Sequence, residues 1–311
     1  MKQGFTYSNE LLIDVKKHIS TETYKFIFSP KFIFLCGKGF DCSNPSSYSL
    51  TNRGVIENYI SKKDPDANVV LSEKLWDNAL LKEIDLLTFE EYLAEVSDYV
   101  ILFVESMGSA CELGAFTFSD KLLMKKLLII MSEKYKTGES FIKNGPIAKA
   151  IKKGTPVLYA DLAGPLLGSR ELVGRIDDIV SSLKERNALN KRKINTTEKV
   201  MLNSFIIEMI ELVRLFQPIK REDIVNIYKA IKTFPSSFIF IKNDGTHFKT
   251  KIQVSYVLDL LVKLDIFRAD INGYSLGKEL PYENFMFSFT PLTLSKMRSK
   301  ILSRKYKYKE I

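Results

Sequence analysis

The run Tyr99–Val104, Tyr-Val-Ile-Leu-Phe-Val, has no polar side chain after its tyrosine and, apart from one leucine, is built from β-branched and aromatic residues. A short strand that is apolar at every position is buried on both faces, which happens when a parallel sheet carries helices on each side. Residues 32–36 and 127–131 have the same character, and residues 68–71 and 156–159 read as further strands. Helical spacing falls between them, over residues 55–60, 89–96, 112–118 and 146–152. This alternation predicts an α/β fold, an open doubly wound parallel sheet over residues 31–160.

The texture changes on either side of that segment. Residues 1–30 read as a helical lead-in, with Leu11, Leu12, Val15 and Ile19 at helical spacing. Residues 161–216 read as a helical connector, with apolar residues three and four apart over 170–186 and 198–216. Beyond it, Ile224, Ile227, Tyr228 and Ile231 define one amphipathic helix, and Val254, Val257, Leu258 and Leu261 define another. A hairpin follows over residues 266–276, with the turn Asp270-Ile271-Asn272-Gly273 and its fitting Asn-Gly pair. Helix, helix, hairpin is the order of a winged-helix-like α+β domain, which we expect over residues 217–311, its second helix in a DNA groove. A small helical accessory or dimerisation domain is the alternative reading.

Charge divides the chain along the same line. Of 46 Lys+Arg and 37 Asp+Glu, residues 1–180 hold 22 and 24, so residues 181–311 hold 24 and 13, a balance of −2 against +11. A neutral small-molecule domain joined to a polyanion-binding one has this signature, although a solvated lysine-rich surface has it too. Lys249 and Lys251 precede the second amphipathic helix, and Lys305 and Lys307 lie in a basic tail interleaved with Tyr306 and Tyr308. Such residues neutralise phosphates and stack on bases, making these four lysines the candidate nucleic-acid contacts.

Several classes of protein are disfavoured. No apolar run approaches the roughly 18 residues of a membrane-spanning helix, and residues 1–20 lack the uninterrupted apolar core of an export signal. Three cysteines and two histidines without a Cys-x-x-Cys pair favour neither a disulfide framework nor a zinc site. The expectation is a cytoplasmic protein with reduced thiols, no metal and no membrane contact.

The segment that carries chemistry follows the most buried strand: Glu105-Ser106-Met107-Gly108-Ser109-Ala110-Cys111-Glu112-Leu113-Gly114. In open α/β sheets, ligands bind beyond the carboxyl ends of the strands. Ser106, Gly108 and Ser109 fall in the expected loop, where backbone N–H groups hold phosphate, and Glu112 falls in the first helical turn. A carboxylate there can attack an electrophilic sugar carbon. Equally, Ser109-x-x-Glu112 has the spacing of a capping box, with both side chains spent on the helix N-terminus. By residue chemistry Cys36 and Cys111 are small apolar fillers.

These residues resemble the active-site segment of the nucleoside deoxyribosyltransferase superfamily, in which the Glu of Glu-Leu-Gly is the nucleophile; the match is Glu112-Leu113-Gly114. Residues 32–41, which include Cys36, Gly37, Gly39 and Asp41, are similar to that family's first strand and glycine turn, which contact base and sugar. Six residues before the nucleophile this chain has Ser106, where transferases often carry Asp. That departure implies hydrolysis of a phosphorylated substrate instead of base exchange. Together with Ser140-Phe141-Ile142-Lys143-Asn144-Gly145-Pro146, these motifs look like the effectors of one retron class over residues 31–150, with only architectural likeness beyond about residue 200.

The resemblance implies a toxic antiphage effector that hydrolyses NAD+ or a related nucleotide. It would be held inactive by the retron reverse transcriptase and its multicopy RNA-linked DNA, msDNA. It further implies Glu112 as nucleophile, Glu105 as an aid to a ribose hydroxyl or to water, NAD+ as substrate with no resident cofactor, and a homo-oligomer or filament with its partners. As the alternative role for Glu105, a plain strand-end carboxylate stays open. Two other functions remain as rivals: a nucleotide-sensing DNA-binding regulator without catalysis, and a salvage nucleoside deoxyribosyltransferase.

Overall fold

A computed structural model describes residues 7, 9–19, 24–26, 31–41, 43–75, 84–119, 125–185, 190–192, 198–232, 238–242, 244–248, 250–277 and 287–307. The chain forms two compact units, one of Pro30–Arg186 and one that joins Met1–Ser29 to Asn187–Ile311. Divided at these boundaries, the chain keeps the same charge balance: residues 30–186 hold 20 basic and 22 acidic side chains, and the other unit holds 26 and 15.

The first unit is a five-stranded parallel sheet with the order β2-β1-β3-β4-β5: β1 is Lys31–Cys36, β2 Ala67–Val70, β3 Tyr99–Val104, β4 Leu127–Ser132 and β5 Val157–Ala160. The expected strands are all present, with ends displaced by a residue or two. β3 is central, paired with β1 and β4, and its residues from Val100 onward are buried.

Helices cover both faces. Helix α1 (Asn52–Lys63) and helix α4 (Arg170–Glu185) pack on one side, where Ile56, Ile60, Leu172 and Ile176 meet Ile33, Leu35, Ile101 and Phe103. Helix α2 (Leu86–Val96) and helix α3 (Met107–Ser119) pack on the other, with Phe116 edge-on to Phe34. Alternate residues of one strand thus feed two separate cores, which is why the strands read as unbroken apolar runs. Because α4 packs into this core through Leu172, Ile176 and Leu183, it belongs with the sheet and not with a separate connector.

In the second unit, the helix Leu202–Phe216 is buried along most of its length and packs against the helix Arg221–Lys232. The helix Val254–Lys263 leads into the hairpin Phe267–Asp270 with Gly273–Leu276. The expected turn Asp270-Ile271-Asn272-Gly273 joins them, with Ile271 and Asn272 between the paired Asp270 and Gly273. Gly273 pairs with Asp270 at φ +123°, and a Cβ there would lie 2.3 Å from the Ile219 carbonyl oxygen. Two small pairings escaped the apolar pattern because they are three residues long: antiparallel Tyr24–Phe26 with Asn190–Arg192, and parallel Lys199–Met201 with Ile239–Ile241. The lead-in helix is Asn9–Lys16, and its Asp14 pairs with Lys300. No described helix is long and apolar enough to cross a membrane.

Inside this unit Glu208 is fully buried, ion-paired with buried Lys232 and accepting a hydrogen bond from Tyr228 Oη at 2.5 Å. Burial pushes the Glu208 carboxyl up and the Lys232 ammonium down, so each ion depends on the other for its charge. Removing one partner strands a buried charge. Lys232→Met is expected to destabilise the chain by about 3–5 kcal/mol in urea unfolding, and Glu208→Gln in the same chain to recover most of that loss.

Candidate active site

The sheet order reverses between β1 and β3, so the crevice at their carboxyl ends is where an α/β sheet of this kind takes a ligand. The loop after β1 supplies Gly37 and Lys38, and the loop after β3 supplies Glu105 and Ser106. Gly37 is pressed against its surroundings: a Cβ would lie 3.1 Å from Phe103 Cβ, 3.2 Å from Glu105 Oε1 and 3.4 Å from Arg53 Cδ. Only a residue without a side chain lets the β1 loop approach β3 this closely.

Helix α3 begins at Met107, five residues before the expected start at 112. Two serines account for this. Ser106 Oγ accepts from Ser109 N at 3.1 Å, while Ser109 Oγ accepts from Ser106 N at 2.8 Å and from Glu105 N at 3.0 Å. This reciprocal pair is a capping box of Ser106 with Ser109, so the expected box of Ser109 with Glu112 is not formed. With the helix start moved back, Glu112 lies in its second turn and takes no part in capping.

Glu112 instead turns to the face covered by α2, where it meets the buried Glu90 closely enough for the two carboxyl groups to share a proton. Burial, reinforced by the Glu90 charge, pushes the Glu112 carboxyl up to about 8. Burial pushes Glu90 up to about 7. Two carboxylates in one desolvated place hold one proton between them near neutrality. Glu112 Oε2 is buried without a hydrogen-bond partner. Cys36 is buried beside the pair; burial and the nearby Glu112 and Glu90 charges raise its thiol well above its usual range and keep it neutral.

A cation balances the cluster. Arg53, fully buried on α1, donates to Glu73 at 2.6 and 2.9 Å and to the Lys38 carbonyl at 2.6 Å, and its guanidinium stands over the Phe40 ring. Arg53 Nε is buried without a partner. Glu105 is held from two sides, accepting from Lys38 N at 3.2 Å and from Asn52 Nδ2 at 2.7 Å. It therefore ties the β1 loop, α1 and the end of β3 together at the mouth of the crevice.

The structure brings together Cys36, Gly37, Glu105, Ser106, Ser109 and Glu112, with Gly39 beside Glu73 and Gly108 in the exposed first turn of α3. Asp41 stands apart: it is exposed and spends its carboxylate on Ser43, which donates from N at 2.8 Å and from Oγ at 2.6 Å. Lys251 is exposed; Lys249 lies outside the described residues, and Lys305 and Lys307 lie in the helix Pro291–Lys307, whose last side chains also lie outside them. Sequence reasoning missed Asn52, Arg53, Glu73 and Glu90. Glu90 left only a faint signal, a carboxylate next to Phe89 at the start of the apolar stripe Phe89, Leu93 and Val96, and adjacent Glu91 obscures it. Among the described residues no cluster of three or more His, Cys, Asp and Glu side chains is placed to hold a metal ion.

Residues 49–269 match the family described as STM3845 retron effector protein. The chain belongs to this retron effector family. It is also similar to two Escherichia coli proteins whose names propose a ribosyltransferase and DNA-binding protein. With that of retron Ec73 it shares 38% identity over 173 residues, 54% of each chain. With that of retron Ec86 it shares 38% identity over 117 residues, 37% of this chain and 36% of the relative. The chain thus spans about half the length of the first and about a third of the second. The family match takes in Glu90, Glu105, Glu112 and the hairpin's first strand, while β1 and Gly37 precede it.

A carboxyl group whose folded pKa is raised costs stability in its ionised form. That cost is absent below about pH 4 and grows as pH rises through the shifted value. In this retron effector Glu112→Gln is expected to unfold at a higher temperature than the parent at pH 8, by several degrees, with the difference vanishing near pH 4. Calorimetry of both chains across that range checks it.

Proposed function

We propose that this retron effector is a toxic antiphage enzyme whose sheet unit cleaves the N-glycosidic bond of NAD+ or a related nucleotide, with Glu112 as nucleophile. The observation that carries the reading is the desolvated pair of half-buried Glu112 with buried Glu90 at the sheet's switch point, free of any capping duty. A desolvated carboxylate placed where ligands bind has a catalytic rationale and a stability cost that a structural residue would avoid.

The pair also suits a cationic leaving group. A pyridinium ring brought beside two carboxylates that share one proton favours loss of that proton, so the substrate itself readies the nucleophile. A Glu112 oxygen attacks C1′ through an oxocarbenium-like transition state, and the C1′–N electron pair leaves with nicotinamide, which departs neutral. Water then attacks C1′, its proton passes to Glu90, and the Glu112 carboxylate is released with ADP-ribose as the second product. Ser106 and Gly108 at the α3 N-terminus are the proposed phosphate contacts, with Gly37 and Gly39 against the sugar and base. Glu105 is a positioning residue, because both of its oxygens hold neighbouring loops.

For the second unit we propose a winged-helix-like module that docks the msDNA and the reverse transcriptase, holding the enzyme inactive until infection. Its support is the helix–helix–hairpin order, with Ile219 making a single antiparallel bridge to Tyr274 of the hairpin, and the +11 charge of this unit.

The test is nicotinamide release from NAD+ by the full chain without its retron partners. The expected rate rises with pH through the region of 7 to 8 as Glu112 ionises, and Glu112→Gln lowers it by roughly 10³-fold or more. Glu90→Gln, which removes the neighbouring charge, shifts the rise to lower pH. Equal inertness of parent and Glu112→Gln ends the catalytic reading. Tight binding of an intact nucleotide would support a sensor, and a new nucleoside formed with an added acceptor base would support salvage transfer.

A further inference from the structure

The near-neutral balance of the sheet unit conceals a strongly basic surface. Residues 133–153, which follow β4, carry six lysines against two glutamates, in a unit that is otherwise acidic. The segment is folded but irregular: a single 3-10 turn at Glu133–Tyr135, a π-helical turn at Lys143–Ile147 and a short α-helix at Ala148–Lys152. It contains the motif 140–146, to which the glycosidic chemistry assigns no role.

Aromatic rings stand out of this surface. Phe141 is 86% exposed, Phe118 at the end of α3 is 77% exposed and Tyr135 is 50% exposed. Each ring has a neighbour that leaves a face usable. Phe141 rests against the bare Cα of Gly145, Lys134 Nζ stands 4.8 Å from the Tyr135 centroid, and Lys149 Nζ stands 3.5 Å from the Phe118 centroid. A ring beside an ammonium is what one nucleotide uses, the ring for the base and the ammonium for the phosphate.

We propose that residues 133–153 with Phe118 form a second nucleic-acid contact, on the enzymatic unit itself, which takes single-stranded nucleic acid by stacking on Tyr135, Phe141 and Phe118. Charge excludes a second copy of the same face, since two surfaces of this sign repel. An anionic lipid surface fits less well, because interfacial binding needs one long regular amphipathic helix, and the helical stretch 141–152 is short and broken by a π-turn at Lys143–Ile147. A duplex offers its bases no open faces for three separately projecting rings. The proposal stands whether or not Glu112 is a nucleophile.

Photo-cross-linking separates this surface from the basic second unit. A single-stranded oligodeoxynucleotide of roughly 16 nucleotides bearing 5-iodouracil is irradiated with the full chain and the linked peptides are mapped by mass spectrometry. Links at Tyr135 or Phe141 are expected. In fluorescence anisotropy, Tyr135→Ala with Phe141→Ala is expected to weaken binding of that strand at least fivefold, with little effect on duplex of the same length and none on melting temperature. Lys134→Gln, Lys136→Gln and Lys152→Gln together should reduce the salt slope by about 2. Links confined to Asn187–Ile311, unchanged affinity in the double alanine variant, or equal losses for duplex and single strand would overturn the proposal. So would co-sedimentation with phosphatidylserine vesicles that depends on Tyr135 and Phe141 while oligonucleotide binding does not.

Discussion

At the carboxyl end of β3, two serine hydroxyls exchange hydrogen bonds with each other's backbone, and the chemistry of the crevice follows from that exchange. Ser109 Oγ takes the N–H groups of Glu105 and Ser106, and Ser106 Oγ takes that of Ser109. The helix can therefore begin directly after the strand. An immediate start sets the rotation of α3, and that rotation carries Glu112 onto the face shared with α2, beside Glu90. Without the cap, a carboxylate three residues after Ser109 would be free to serve the helix N-terminus, and no buried acid pair would exist.

Keeping that pair buried is unfavourable, and the surrounding structure bears the cost. The two separate cores on either side of the sheet hold the strands by apolar burial on both faces, so the crevice does not need its polar groups for stability. Arg53 is held by Glu73 and the Lys38 carbonyl and lowers the local negative charge without neutralising Glu112 outright. Glu105 fixes the mouth of the crevice from two directions, and Gly37 makes room for it. The result is a carboxyl group poised near neutrality, where small changes in nearby charge decide whether it is protonated or ionised.

Electrostatics also organises the larger molecule. The second unit carries the excess positive charge, +11 against −2 for the sheet unit. Within the sheet unit, charge separates again, with carboxylates around the crevice and lysines along residues 133–153. A sum over either unit hides this, because like charges matter over about a Debye length and not over a whole domain.

The parallel sheet was legible from residue order. A strand buried on both faces has to be apolar throughout, so residues 32–36, 99–104 and 127–131 declared themselves. The Glu112 segment was singled out by its resemblance to glycosyl-transferring enzymes. Helix starts were not legible, since Ser106 and Ser109 both suit an N-cap and only the length of β3 and the packing of α3 choose between them. Nor was the company of Glu112: Arg53, Glu73 and Glu90 are 59, 39 and 22 positions away along the chain, and local periodicity carries no information over such distances. Residue types and their spacing were enough to specify the sheet and nominate the acid. Tertiary packing alone brought a second carboxyl group to it and set its charge, because desolvation and Coulomb interactions act through space and not along the chain.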